Sequence, residues 1–148
     1  MDHAKHSVEC FNEVSNWIYN KDRNPDDNLL MREMAHSSLY HWLRRDDCKP
    51  MNLSIGLWQV SRVHAILGES ETAMQYAKEC IDLSENNSLP PFFIGYGYEA
   101  AARAAKVSGD LELCTTFIKK TEEQLSQVEE ADDRKYLEED LANLKATD

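Results

Sequence analysis

The sequence predicts an all-α fold, a stack of antiparallel helical hairpins with about seven helices. Three observations predict it. Apolar residues recur at three- and four-residue steps through most of the chain, and no stretch alternates with period two. Good helix formers (Ala, Leu, Glu, Lys) are plentiful, against only 5 Gly and 4 Pro in 148 residues. Turn signals punctuate the apolar runs at Pro25, Pro50, Gly68, Pro90–Pro91 and Gly109. The 42% hydrophobic and 29% charged content is that of a globular chain with a core, so one domain is expected over 1–148.

The clearest hairpin is 53–84. Leu57, Val60, Val63, His64 and Leu67 form one apolar stripe, and Ala73, Tyr76, Ala77, Cys80, Ile81 and Leu83 form a second. Gly68 between them suits a left-handed helix terminator. Upstream, Val8, Phe11, Val14, Trp17 and Ile18 predict a helix over 4–20. The polar run 20–27, with Pro25, breaks it. Leu30, Met34, Leu39, Trp42 and Leu43 predict a helix over 28–45, which closes a first hairpin at 4–45. Residues 46–52 and 86–91 read as connections because of their prolines. A third hairpin at 92–127 turns at Ser108-Gly109-Asp110, with Asp110 as N-cap. A last helix over 131–145, with Tyr136, Leu137, Leu141 and Leu144 on one face, reads as a cap over an otherwise bare apolar end.

The formal net charge is −11, and residues 109–148 contribute −7 of it through 12 acidic and 5 basic side chains. No basic footprint for nucleic acid is present. The start, MDHAKHS, is polar, and no apolar segment suggests a signal peptide or membrane span. Cys10, Cys48, Cys80 and Cys114 are scattered without a CxxC pair. A cytoplasmic location is expected.

The turns Leu67-Gly68-Glu69 and Ser108-Gly109-Asp110 are alike, and each is followed five residues after its glycine by a small residue, Ala73 or Cys114. In this the chain resembles the tetratricopeptide repeat and is similar to bacterial proteins of that helical type. Aligned on the turn glycines, Leu57 and Tyr98 take the repeat's first large apolar position, while Val60 and Ala101 take its Leu position. Ser61 and Ala102 take the small position, Ala77 and Ile118 the aromatic position of the second helix, and Cys80 and Thr121 its later Ala position. The two glycines are 41 residues apart, against about 34 in the repeat. Glu85 stands where the repeat ends in Pro, and the first hairpin lacks the turn glycine. The resemblance covers 53–127 best and implies a right-handed superhelix.

The resemblance also implies a concave groove lined by the first helix of each hairpin. The groove positions hold Trp58 and Arg62 on one helix and Glu99 and Arg103 on the next, with Tyr96 one turn earlier. Each i,i+4 pair shares a helix face. Two readings follow. Arg62 and Arg103 grip a carboxylate of a partner while Trp58 and Tyr96 supply flat apolar contact. In the other reading, Glu99 pairs with the arginines, and the network joins neighbouring hairpins. The repeat's carboxylate-clamp version has Lys and Asn where Trp58 and Arg62 stand, so this chain departs from it.

A second cluster contains His36, Tyr40 and His41, with His64 elsewhere. His36 and His41 are about 140° apart on a helix, at ~100° per residue, which is poor geometry for one metal. More simply, these side chains lay apolar bodies on a neighbouring helix, and His64 is a satisfied core histidine. No HExxH, glycine-rich phosphate loop or GxSxG is present. Pro90-Pro91-Phe92-Phe93 reads either as an exposed aromatic bump or as the start of a buried face. The expected function is a non-enzymatic protein-interaction module without a cofactor. Its partner is a protein or peptide segment bearing an acidic or carboxylate group. The alternative is a small-molecule or metal-binding bundle built on His36, Tyr40 and His41. Self-association through the 4–20 helix, burying Phe11 and Trp17, makes a homodimer a further expectation.

Overall fold

The computed structural model of the protein describes residues 1–146, so 147 and 148 of the expected domain lie outside the described residues. These residues form seven helices and no strand: α1 His3–Ile18, α2 Pro25–Leu43, α3 Pro50–Ile66, α4 Ser70–Asn86, α5 Pro91–Ser108, α6 Leu111–Leu125 and α7 Ala131–Ala146. No described helix is long and apolar enough to cross a membrane.

Helix boundaries follow from capping chemistry. Asp2 Oδ1 accepts from Lys5 N–H at 2.9 Å and starts α1. Helix α2 starts three residues earlier than the apolar pattern suggests. Asn24 and Asp27 cap each other's backbone N–H groups at 2.8 and 3.0 Å, and Pro25 occupies the first helical position. Pro50 and Pro91 also open their helices instead of ending connections. The missing N–H of proline has no cost in a first turn, where the donor would be unpaired anyway. Gly68 and Gly109 have φ of +78° and +85°, the left-handed terminators expected of them. Asp110 caps α6 by accepting from Leu113 N–H at 3.0 Å.

Each helix packs on the next. The odd helices also pack together, α1 on α3, α3 on α5 and α5 on α7, whereas among the described residues no two even helices meet. The odd helices therefore form an inner layer and the even ones a splayed outer layer, as in a stack of helical hairpins.

Helix α5 lies at the centre and touches α3, α4, α6 and α7. It can do so because Gly95, Gly97, Ala100, Ala101, Ala102, Ala104 and Ala105 are buried on several of its faces. A Cβ on Gly97 would stand 3.0 Å from Ile81 Cγ1 and 3.4 Å from the Ile81 backbone. Small hydroxyls fasten the remaining close crossings. Ser61 Oγ donates to Ala73 O at 2.8 Å, Ser38 Oγ donates to Ser7 O at 2.8 Å, and Ser54 and Ser84 share a 2.8 Å bond. The N-terminal core joins Val14, Ile18, Met31, Leu39, Val60 and Val63. Leu137, Leu141 and Leu144 seat α7 over the other end.

Not every residue of the expected stripes is inside. Val8, Leu30, Leu43 and Tyr136, on α1, α2 and α7, are exposed.

Gly97→Val therefore tests the α4–α5 crossing. It should cost about 1–3 kcal/mol by overpacking against Ile81, read as a lower urea midpoint at unchanged slope. An unchanged midpoint would mean that this crossing is loose.

Candidate functional site

Helices α3 and α5 bring the five expected groove residues together, and the chain's own last helix covers part of them. Glu99 is wholly buried, and the side chains of Arg62 and Arg103 are 7% and 12% exposed. Arg103 Nε donates to Glu99 Oε1. Its other nitrogens reach α7, with Nη1 3.1 Å from Asn143 Oδ1 and Nη2 2.8 Å from the Asp140 carbonyl. Arg62 Nη1 lies 3.7 Å from Glu99 Oε1. Burial pushes the Glu99 carboxyl above its ordinary range, and Arg103 and then Arg62 pull it back. Glu99 Oε2, Arg62 Nη1 and Trp58 Nε1 are buried without a hydrogen-bond partner.

The aromatic members lie on one side of this ion cluster. Trp58 and Tyr96 meet edge to face at 5.5 Å, and Phe92 packs the same way on Tyr96 at 5.1 Å and on Phe93 at 5.3 Å. Tyr96 Oη donates to Asp140 Oδ2 at 2.6 Å. Burial, and then this bond, raise the Tyr96 hydroxyl's pKa, so it stays a donor. These rings wall a cleft of about 450 Å³, completed by Phe11, Tyr19, Ser54, Ile55, Tyr136 and Asp140. A second cleft of about 170 Å³ shares Phe11 and Ile55 and runs on to Val8, Trp42 and Asn52. Together they form one apolar trough along the inner face.

The arginines line a different cavity. About 400 Å³ lies beside Arg62, Arg103 and Lys106, among Ala65, Ile66, Val107, Leu111 and Leu144. The five expected residues are thus divided. Trp58 and Tyr96 face the aromatic cleft, Arg62 and Arg103 face the second cavity, and Glu99 is sealed between. A larger depression of about 810 Å³ between Pro90–Phe92 and 126–134 has a mixed lining, where Arg134 donates to the Val128 carbonyl.

Phe92 and Phe93 are half-buried walls of the cleft, a role between the two expected for them. Sequence reasoning missed Phe11, Tyr19, Ile55, Tyr136 and Asp140. Tyr136 and Asp140 are four apart on α7, a signal that could have been read. Tyr19 sits past the end of α1, where helical periodicity gives no guidance.

The second expected cluster divides as well. His36 Nε2 lies 2.9 Å from His64 Nε2, and His64 Nδ1 lies 3.1 Å from Glu69 Oε1. Because a carboxylate only accepts, neutral His64 carries its proton on Nδ1 and accepts from His36 through Nε2. Tyr76 stacks on His64, and Arg32 reaches Glu69 at 3.7 Å. His64 is buried and bonded on both nitrogens, as a satisfied core histidine. His41 instead meets His3, Nδ1 to Nδ1 at 2.8 Å, with the His6 ring at 5.2 Å and Tyr40 exposed beside them. Among the described residues no group of three or more His, Cys, Asp or Glu is placed to hold a metal ion. Cys80 and Cys114 are buried, and burial raises the Cys80 thiol to about 11.

Two predictions follow from these clusters. Arg103→Ala strips Glu99 of its closest counter-charge and frees α7, so it should lower unfolding free energy by about 3–5 kcal/mol. Arg62→Ala, which removes only the longer contact, should cost less. Equal and near-zero effects in denaturant titration would refute internal pairing. The histidines set a pH dependence. Burial and then His64 lower the pKa of His36, while burial and then His3 and His6 lower that of His41. Glu33, Arg32 and Glu69 also face His36. Below about 6.5 the unfolded chain takes up these protons more readily, so stability should fall as pH drops from there through the folded values. The fall should be smaller in His36→Gln/His41→Asn, and identical pH profiles of the urea midpoint would count against it. No protein-family model, curated protein or solved structure matches this chain.

Proposed function

We propose that the protein is a non-enzymatic interaction module that takes a segment of a partner protein along its inner face. The observation that carries this reading is the apolar trough formed by the two clefts that share Phe11 and Ile55. Its residues come from α1, α2, α3, α5 and α7, so a ligand lying in it would touch most of the inner layer. Half-buried aromatic side chains held edge to face are suited to this. They offer a large contact area with little rotamer freedom to lose on binding. A concave site of this kind suits an extended or singly helical segment better than a flat protein surface.

Trp58 and Tyr96 are the anchors in this reading, as expected from their positions. Arg62, Glu99 and Arg103 act behind them, holding α3, α5 and α7 in register. An acidic group on the partner is not needed for the aromatic trough. If the partner has one, the cavity beside Arg62 and Arg103 is where it would be received.

Ile55 lies where the two clefts join, half-buried and about two helical turns before Arg62 on α3. Peptides selected on the wild-type protein from a random display library should bind Ile55→Glu at least about tenfold more weakly, an energy of about 1.4 kcal/mol. Thermal stability of the variant should stay close to wild type. Undiminished binding to Ile55→Glu would place the peptide site elsewhere and remove this function.

A further inference from the structure

The aromatic cleft has a definite charge character. Its wall carries seven aromatic rings and one carboxylate, Asp140, and no Lys, Arg or His lines it. The chain as a whole is at −11. Both guanidiniums behind the wall face the Glu99 carboxylate, and Arg103 also donates to the Asp140 carbonyl oxygen, so part of their repulsion toward a cation in the cleft is offset. Tyr19 registers this balance. Burial first and Asp140 second raise its hydroxyl pKa, while Arg62 and Arg103 act in the opposite direction. An anion would meet Asp140 here, which repels it.

Which cation fits follows from hydrogen bonding. A bare ammonium has three donors that must be satisfied on leaving water. The cleft's side-chain oxygens are few: Asp140, whose Oδ2 already accepts from Tyr96, the Ser54 hydroxyl, which is engaged with Ser84, and the Tyr19 and Tyr136 hydroxyls at the exposed edge. A fully methylated ammonium has no N–H donor, spreads its charge over methyl groups and gains from aromatic faces. Its volume is small beside about 450 Å³, leaving room for the alkyl stem that carries it.

Resting on the groove reading above, we propose that the Trp58–Tyr96–Phe92 cleft, with Asp140 as counter-ion, receives the trimethylammonium head of a methylated lysine side chain on the partner segment.

The test titrates the full chain with four probes, followed by tryptophan fluorescence and the indole N–H resonances. The first is an acetylated Ala-Ala-Lys-Ala-Ala amide with trimethyllysine at its centre. The second is the same peptide with unmodified lysine. The third is its neutral carbon isostere, in which a tert-butyl group replaces trimethylammonium. The fourth is free choline. The trimethyllysine peptide should bind about tenfold more tightly than either the lysine peptide or the isostere, a gap on the scale of one desolvated cation–π site. Asp140→Asn, which keeps an acceptor for Tyr96, should close most of that gap.

Equal binding of the neutral isostere would overturn the cation proposal while leaving the apolar groove standing. Choline binding as tightly as the peptide would overturn the protein source. If no probe perturbs the Trp58 resonance, the cation site fails. The library peptides of the previous section then decide separately whether the trough binds at all.

Discussion

The structure depends on the Glu99–Arg103 contact and what it fixes. A carboxyl group that is entirely out of water is tolerable only beside a compensating charge. Arg103 supplies that charge four residues along the same helix. Its remaining donors turn outward to the Asp140 carbonyl and the Asn143 side chain, so the same guanidinium that neutralises Glu99 also seats α7. Arg62 adds the third helix from the opposite side. One buried charge thus sets the relative positions of α3, α5 and α7. The pairing is not a large source of stability by itself, since two apolar residues of similar size could serve as well. The two bonds from Arg103 to α7 tie the docking of that helix to the same guanidinium.

Close packing makes this arrangement possible. The ion cluster needs α5 within reach of four other helices, and bulky side chains would hold them apart. The run from Gly95 to Ala105 keeps α5 thin on its buried faces, and Ile81 fits into the space above Gly97. Serine hydroxyls bridge the α1–α2 and α3–α4 crossings. Small residues cost something in helix propensity, at least for glycine, and the burial of α5 against its neighbours outweighs it.

Most of the fold was legible in the sequence, because helical periodicity and turn chemistry are local. The glycine turns at 68 and 109 and the Asp110 cap needed only adjacent residues to be read. Boundaries at Pro25, Pro50 and Pro91 were misplaced by one to three residues, since proline both ends connections and begins helices, and only the capping partner decides which. The site was half legible. Trp58, Arg62, Tyr96, Glu99 and Arg103 do gather on the inner helices, yet which of them face a cleft depends on α7, whose docking is a non-local event. The place of Asp140 in the cleft depends on the same docking, whereas Tyr19 lies past the end of α1, where periodicity gives no guidance. The histidines divided into two clusters because their partners, His3 and Glu69, come from a different helix and from a turn.

The position of α7 decides what the inner face can bind. Without it, α5 would present Glu99 and Arg103 to solvent beside Tyr96, a mixed polar surface. With it, Leu137, Leu141 and Leu144 cover the far end, the charges are turned inward, and Tyr136 and Asp140 are added to the near end. The cleft therefore gains its only lining carboxylate from the element that removes Glu99 from view. That exchange converts a salt-bridged groove into an aromatic one with a single counter-charge at its edge. A carboxylate held by Tyr96 at 2.6 Å is fixed in place before any ligand arrives. Trp58, Phe92, Phe93 and Tyr96 are held edge to face by one another, so this part of the wall is organised in advance.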